Sequence, residues 1–126
     1  MKGLLIVAHG SRKQSSNDEV RMLSQAVDVD ASGYDIVECA FLELAEPSIP
    51  DGLERCIEQG AHEVVVMPYF LAAGRHVVED IPQEVSPIAQ KYQHVDIRIT
   101  PHLGASKHMP SIILGLANHA HARRPS

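Results

Sequence analysis

Residues 3–9 read GLLIVAH, an apolar run whose first polar side chain is its last residue. A strand covered on both faces has no wet side, so it reads as continuous rather than alternating. This run is therefore expected to be a buried strand of a parallel sheet. HEVVVMPYF (62–70) repeats the pattern, YDIVECAFLE (34–43) reads as a further strand after a Ser-Gly break at 32–33, and VDIRIT (95–100) alternates like a strand with one wetter face. Helical spacing fills the intervals. NDEVRMLSQAV (17–27) carries Val20, Leu23 and Val27 on one stripe, with acidic residues in its first turn. Ser48-Ile-Pro-Asp51 resembles a capping box ahead of Ile49, Leu53 and Ile57, and Gly60 stands where a C-terminal cap is expected. Val78, Ile81, Val85, Ile88 and Tyr92 mark a third helix that Asp80 can cap, and Pro87 inside it predicts a kink or a late start. Pro110, Ile113, Leu114 and Ala117 suggest a last helix.

The order βαβαβαβα predicts an α/β three-layer fold, a four-stranded parallel sheet with right-handed crossovers and helices on both faces. At 126 residues, without linker or repeat, the chain reads as one domain spanning 1–126.

Composition narrows the functional classes. With 44% hydrophobic and 21% charged residues the chain is typical of a soluble globular protein. No apolar run approaches the roughly 20 residues that span a bilayer, and the run at 3–8 begins too early for a signal-peptide core, so a cytoplasmic protein with no membrane partner is expected. A formal net charge of −5 argues against a nucleic-acid partner. The basic HARRPS (121–126) reads as a frayed tail. Cys39 and Cys56 form no CxxC pair and are expected to be reduced core thiols. Eight His beside no Trp suggest metal or proton chemistry without locating it.

Open parallel sheets bind ligands at the carboxyl ends of their strands. The first strand delivers His9 there, followed by Gly10, Ser11 and Arg12. The second delivers Glu43, with Glu46 three residues on, and the third runs through Tyr69-Phe-Leu-Ala-Ala-Gly-Arg75 to His76. Two imidazoles and a carboxylate with open positions form a common divalent-metal arrangement. No HExxH is present, so the inference rests on strand ends. Each residue alone has a plainer reading, as a hydrogen-bonded loop histidine or a solvated acid. His62 and His94 precede strands and belong to the opposite edge, His102 is a weaker candidate on the active edge, and His108, His119 and His121 are assigned to solvated positions of the last helix. HGSR after a first strand invites comparison with the Arg-His-Gly opening of histidine phosphatases, but Ala8 stands in place of that arginine. No GxSxG elbow, Walker loop or GxGxxG turn occurs, and nothing suggests ATP-driven work.

LLIVAHGSR, AFLELAEPSIPDGL, GAHEVVVMPYFLAAGRHVVEDIP and PHLG, in that order and spacing, resemble the sirohydrochlorin chelatase family over most of the chain. The resemblance is to its short, single-domain form. It implies a chelatase-like fold, a homodimer, and ATP-independent insertion of a divalent metal into the tetrapyrrole sirohydrochlorin. Co2+ is the first expectation, with Fe2+ or Ni2+ on the same macrocycle, or a non-catalytic tetrapyrrole or metal carrier, as alternatives. No cofactor beyond the metal substrate is implied. By match to the family's motif, His9 and His76 are the metal-site histidines and Glu43 is the carboxylate near metal and macrocycle. Phe70, Leu71, Ala72, Ala73 and Gly74 would form a wall for the flat ring, with Gly74 allowing close backbone approach, and Ser11, Arg12 and Arg75 would meet its carboxylates. Some short members carry a long histidine run, and the sparse His119 and His121 do not make a metal reservoir.

Overall fold

The computed structural model describes residues 1–30 and 33–120, the side chains of Val29, Asp30 and His76 excepted. The expected tail at 121–126, with His121, lies outside the described residues. Four strands, β1 (Lys2–Ala8), β2 (Ile36–Phe41), β3 (Glu63–Pro68) and β4 (Asp96–Ile99), alternate with helices α1 (Gln14–Asp30), α2 (Ile49–Glu58), α3 (Ile81–Lys91) and α4 (Met109–Ala117). The sheet is wholly parallel, in the order β2-β1-β3-β4. The expected α/β architecture, a four-stranded parallel sheet between helical layers, is the one observed.

Strand β1 is central because both of its faces are apolar, with Leu5 to Ala8 all buried. Leu5 and Val7 join Ile49, Leu53 and Cys56 of α2 and Ile81, Val85 and Ile88 of α3 in one core. Ile6 and Ala8 face the other way, with Cys39, Phe41, Val20 and Val27, beneath α1. Alternate residues of one strand thus anchor opposite layers, as the period of two requires.

Several boundaries differ from the sequence reading. Helix α1 begins at Gln14 rather than residue 17, its first turn holds no acidic residue, and Asp18 and Glu19 fall in the second turn. The second and third strands stop at Phe41 and Pro68, so Glu43, Tyr69 and Phe70 lie past the sheet. Ser48 caps α2 as expected, its hydroxyl accepting the Asp51 N–H at 3.2 Å, and Gly60 follows the helix at φ 109°. Asp80 does not cap α3. It ends a π-helical turn at His76–Asp80 whose backbone is already helical, and its side chain makes no capping bond. Pro87 lies inside α3, which runs on to Lys91. His108 precedes α4 and His119 follows it, both exposed, rather than lying within it.

Cys39 and Cys56 are buried free thiols, as expected of core cysteines. Burial is the largest influence on both, raising Cys39 and pushing Cys56 up to about 12, with the Glu38 carboxylate adding to each. At pH 8 neither thiol should react with Ellman's reagent in the folded chain, and both should react once it unfolds. The unfolded Cys56 loses its proton near pH 9 and the folded one only near 12. The stabilisation is therefore complete below pH 9 and is lost as pH rises from 9 to 12, which denaturant titrations across that range would register as a falling midpoint.

Candidate active site at the carboxyl edge

The strand order fixes where a ligand can enter. The chain leaves β1 for β2 on one side, then returns past β1 to β3, so the crossovers diverge at the carboxyl ends of β1 and β3. That divergence opens a crevice between two strand ends. His9 follows β1 directly, and Tyr69 to Arg75 follow β3.

The His9 imidazole Nε2 lies 3.0 Å from Glu43 Oε1. This contact joins residues 34 apart, and the backbone makes it possible. The Glu43 N–H donates to the His9 carbonyl at 3.0 Å, continuing the β1–β2 pairing beyond the strands. Gly10, at φ 96°, then turns the chain so closely under Glu43 that a Cβ there would overlap the Glu43 carbonyl oxygen. Glycine is required both for the left-handed turn and for the close approach.

The rest of the HGSR turn is held from α1. Asn17, buried to 3% exposure, accepts the Ser11 N–H at 2.9 Å through Oδ1 and donates from Nδ2 to the Ser11 carbonyl at 2.8 Å. The Ser11 hydroxyl accepts the Lys13 N–H at 3.0 Å, so its own hydrogen remains for a second partner. Arg12 is exposed.

The opposite bank of the crevice is apolar. Phe70 packs against the core between the sheet and α2/α3, whereas Tyr69 and Leu71 stay exposed. With Leu103, these residues line a hollow of about 160 Å³. The turn at Leu103–Ala105 braces this bank: the Gly104 N–H donates to the Phe70 carbonyl at 3.0 Å, and a Cβ on Gly104 would overlap the Leu71 carbonyl. Ala72, Ala73 and Gly74 are exposed, and a Cβ at Gly74 would meet nothing within 4 Å. Among the described residues nothing presses on Gly74, which leaves that backbone open to a ligand. Arg75 reaches Glu79 at 3.7 Å with 81% of its side chain exposed, a contact worth at most about 1 kcal/mol and easily exchanged for another carboxylate.

Of the sequence candidates, His9 and Glu43 are in direct contact, and the 70–75 segment stands across the crevice behind a neighbouring strand. His76 begins the π-helical turn at the same edge, and its side chain lies outside what the structure describes. Among the described residues no group of three His, Cys, Asp or Glu gathers to hold a metal. His102 follows β4 on this edge and, with Met67 and Leu103, lines a separate hollow of about 320 Å³. His62 is at the opposite edge, its Nδ1 3.3 Å from the N-terminal amine. Sequence reasoning did not identify Asn17 or Gly104 as supports, nor the close approach at Gly10. Asn17 opens the Asn-Asp-Glu run that suggests an acidic first turn, and glycine in HGSR and PHLG is the one sign of the other two.

The chemistry of the pair is constrained by its geometry. An Nε2–H that donates to Glu43 must be given up before that nitrogen can bind a metal, and the carboxylate beside it can accept that proton. Imidazole nitrogen and carboxylate oxygen also suit the mid-series divalent metals without the tight grip of a thiolate cage. The pair can therefore bind a metal weakly and take up a proton in the same place.

Comparison with known proteins bears on the family of the chain. The CbiX family matches residues 3–120. The chain is 45% identical over 104 residues to the chloroplastic sirohydrochlorin ferrochelatase of Arabidopsis thaliana, an alignment that takes in 81% of this chain and 45% of that one. It is 37% identical over 93 residues to the sirohydrochlorin cobaltochelatase of Methanocaldococcus jannaschii, covering 74% of this chain and 64% of the other. In structure it resembles the sirohydrochlorin chelatase SirB of Bacillus subtilis subspecies spizizenii, solved in complex with cobalt, with a TM-score of 0.84, 29% identity, and coverage of 93% of this chain and 50% of that one. The chain thus spans about half the length of the longer relatives it matches. With a family match running from β1 to beyond α4, and a sheet that overlays half of a solved chelatase, this chain belongs to the CbiX family of sirohydrochlorin chelatases.

Proposed function

We propose that this chain inserts a divalent metal into sirohydrochlorin without ATP, that Co2+ is the metal, and that the working unit is a homodimer. The observation that carries the reading is the His9–Glu43 contact at the divergence point of the sheet, facing an exposed apolar bank. Metallation must remove two pyrrole N–H protons while the metal arrives from one face of the ring. His9 presents the metal, with His76 as its partner, and Glu43 accepts a proton beside it. Phe70 to Gly74 form a wall against one part of the ring, and Arg75, Arg12 and Ser11 meet its carboxylates by charge-assisted hydrogen bonds. Because the net charge is −5, attraction for an anionic ring must come from these local groups.

Two observations support the dimer. Relatives about twice as long contain room for a second such unit. Helix α4 buries no residue within this chain, leaving Ile112, Ile113, Leu114 and Leu116 between 49% and 70% exposed, a surface suited to a second copy. Ile113→Glu/Leu116→Glu should convert the dimer to a monomer in sedimentation velocity. A wild-type monomer at micromolar concentration would contradict the assembly.

The activity is tested by mixing the protein anaerobically with sirohydrochlorin and Co2+, Fe2+ or Ni2+ in turn and following the absorption spectrum. Acceleration over the protein-free rate, greatest with Co2+, is expected. Greater acceleration with Fe2+ or Ni2+ reassigns the metal. Tight ring binding with an unchanged rate identifies a carrier instead.

A further inference from the structure

The loop between β2 and α2 holds a residue that the metal-site assignment leaves unexplained. Leu44 has φ 64°, within the left-handed region that glycine and asparagine populate and leucine avoids. It is the one non-glycine residue with positive φ among the described residues. Strain of this kind persists only where the surroundings impose it, and it concentrates at functional sites. Here the surroundings are explicit. The Phe41 N–H donates to the Pro47 carbonyl at 2.8 Å, closing the loop, and the Glu43 carbonyl is fixed over Gly10.

That geometry accounts for the backbone and not for the side chain. Leu42 packs against the α2/α3 core and Ala45 against the α1 core. Leu44 lies between them, is 54% exposed and belongs to neither core. A leucine in a conformation it disfavours, left more than half exposed by its own chain, calls for another partner. It adjoins Glu43 on the β2 side of the edge, while exposed Tyr69 and Leu71 follow β3. Because β1 runs between β2 and β3, the strand ends that lead to these apolar groups are about two strand spacings apart, ~10 Å, and His9 follows the strand between them.

We infer that Leu44 is a ring-contacting specificity residue, covering the margin of the macrocycle opposite the 69–74 wall and seating the ring over His9 and Glu43. The inference rests on the proposed function and deepens it. A flat apolar ring, unlike a free metal ion, gains from covering an exposed leucine, so Leu44 acts on ring binding and not on metal binding.

Leu44→Asn separates the two roles, because asparagine suits the left-handed backbone and removes the apolar surface. The variant is expected to keep or raise Tm. KM for sirohydrochlorin in the insertion assay should rise about tenfold while kcat stays within about twofold, and Leu44→Met should recover most of the lost affinity. Leu44→Gly repeats the test should the asparagine variant fold poorly. An unchanged KM beside an active wild type overturns this inference and leaves the proposed function standing. Conversion of the dimer to a monomer also overturns it, since Leu44 would then belong to the subunit interface. A wild type that neither binds nor metallates the ring overturns both.

Discussion

Gly10→Ala is expected to cost about 2–4 kcal/mol of stability and to lower metal insertion at least tenfold. Two effects add. An alanine at φ 96° occupies a conformation that L-residues avoid, and its methyl group would overlap the Glu43 carbonyl oxygen, a backbone atom that cannot rotate away. Relief requires the 42–47 loop to lift. Lifting breaks the hydrogen bond from the Glu43 N–H to the His9 carbonyl and draws the carboxylate away from the imidazole. Chemical denaturation reads the first consequence and the insertion rate the second. A variant as stable as wild type would show that the loop yields easily and that Gly10 does not set the geometry of the pair.

His9→Ala should have the opposite profile. The side chain is 38% exposed and lies beyond the end of β1, so its removal should change stability by less than about 1 kcal/mol. Insertion should fall by a factor of about 100 to 10,000, the range associated with losing a positioned proton-transfer group, with loss of the metal ligand as a further effect. Ring binding should survive, because the apolar bank and Arg75 remain. Stopped-flow absorbance gives the rate, and titration of the ring without metal gives the affinity. Equal losses in both would assign His9 to ring binding instead.

The fold was legible in the sequence wherever burial on both faces left a continuous apolar run. GLLIVA and VVVM read as central strands because their runs leave no wet face, and the strand expected at 34–43 after the Ser-Gly break forms at Ile36–Phe41. The placement of the candidate residues was legible to the same depth, since parallel strands send all their carboxyl ends to one edge and His9, Glu43 and the 69–76 segment each follow one. What escaped depends on contacts between distant segments. Asn17 looked like the start of an acidic helical turn, yet it points inward to hold both backbone groups of Ser11, and the helix starts three residues earlier. Asp80 sat where a cap belongs, but the π-helical turn before it already supplies helical backbone and leaves no terminus to cap. The left-handed Leu44 follows from closure of the 41–47 loop and has no signature in a local run of Leu-Glu-Leu-Ala.

The stripe on the last helix illustrates a different limit. Pro110, Ile113, Leu114 and Ala117 suggest a last helix, and such spacing usually marks a face buried on the helix's own domain. The helix forms, but none of its residues is buried by this chain. Periodicity reports that a face requires cover and does not say which molecule supplies it.

The claim at the centre of the account is that His9 and Glu43 act as one unit in moving metal and proton. Single-turnover Co2+ insertion into sirohydrochlorin, compared between wild type and the His9→Ala/Glu43→Gln double variant, tests it most directly. The double variant is expected to fall to about the rate of His9→Ala alone, with the far-ultraviolet spectrum and ring affinity preserved. A folded double variant that inserts the metal at the wild-type rate would contradict it.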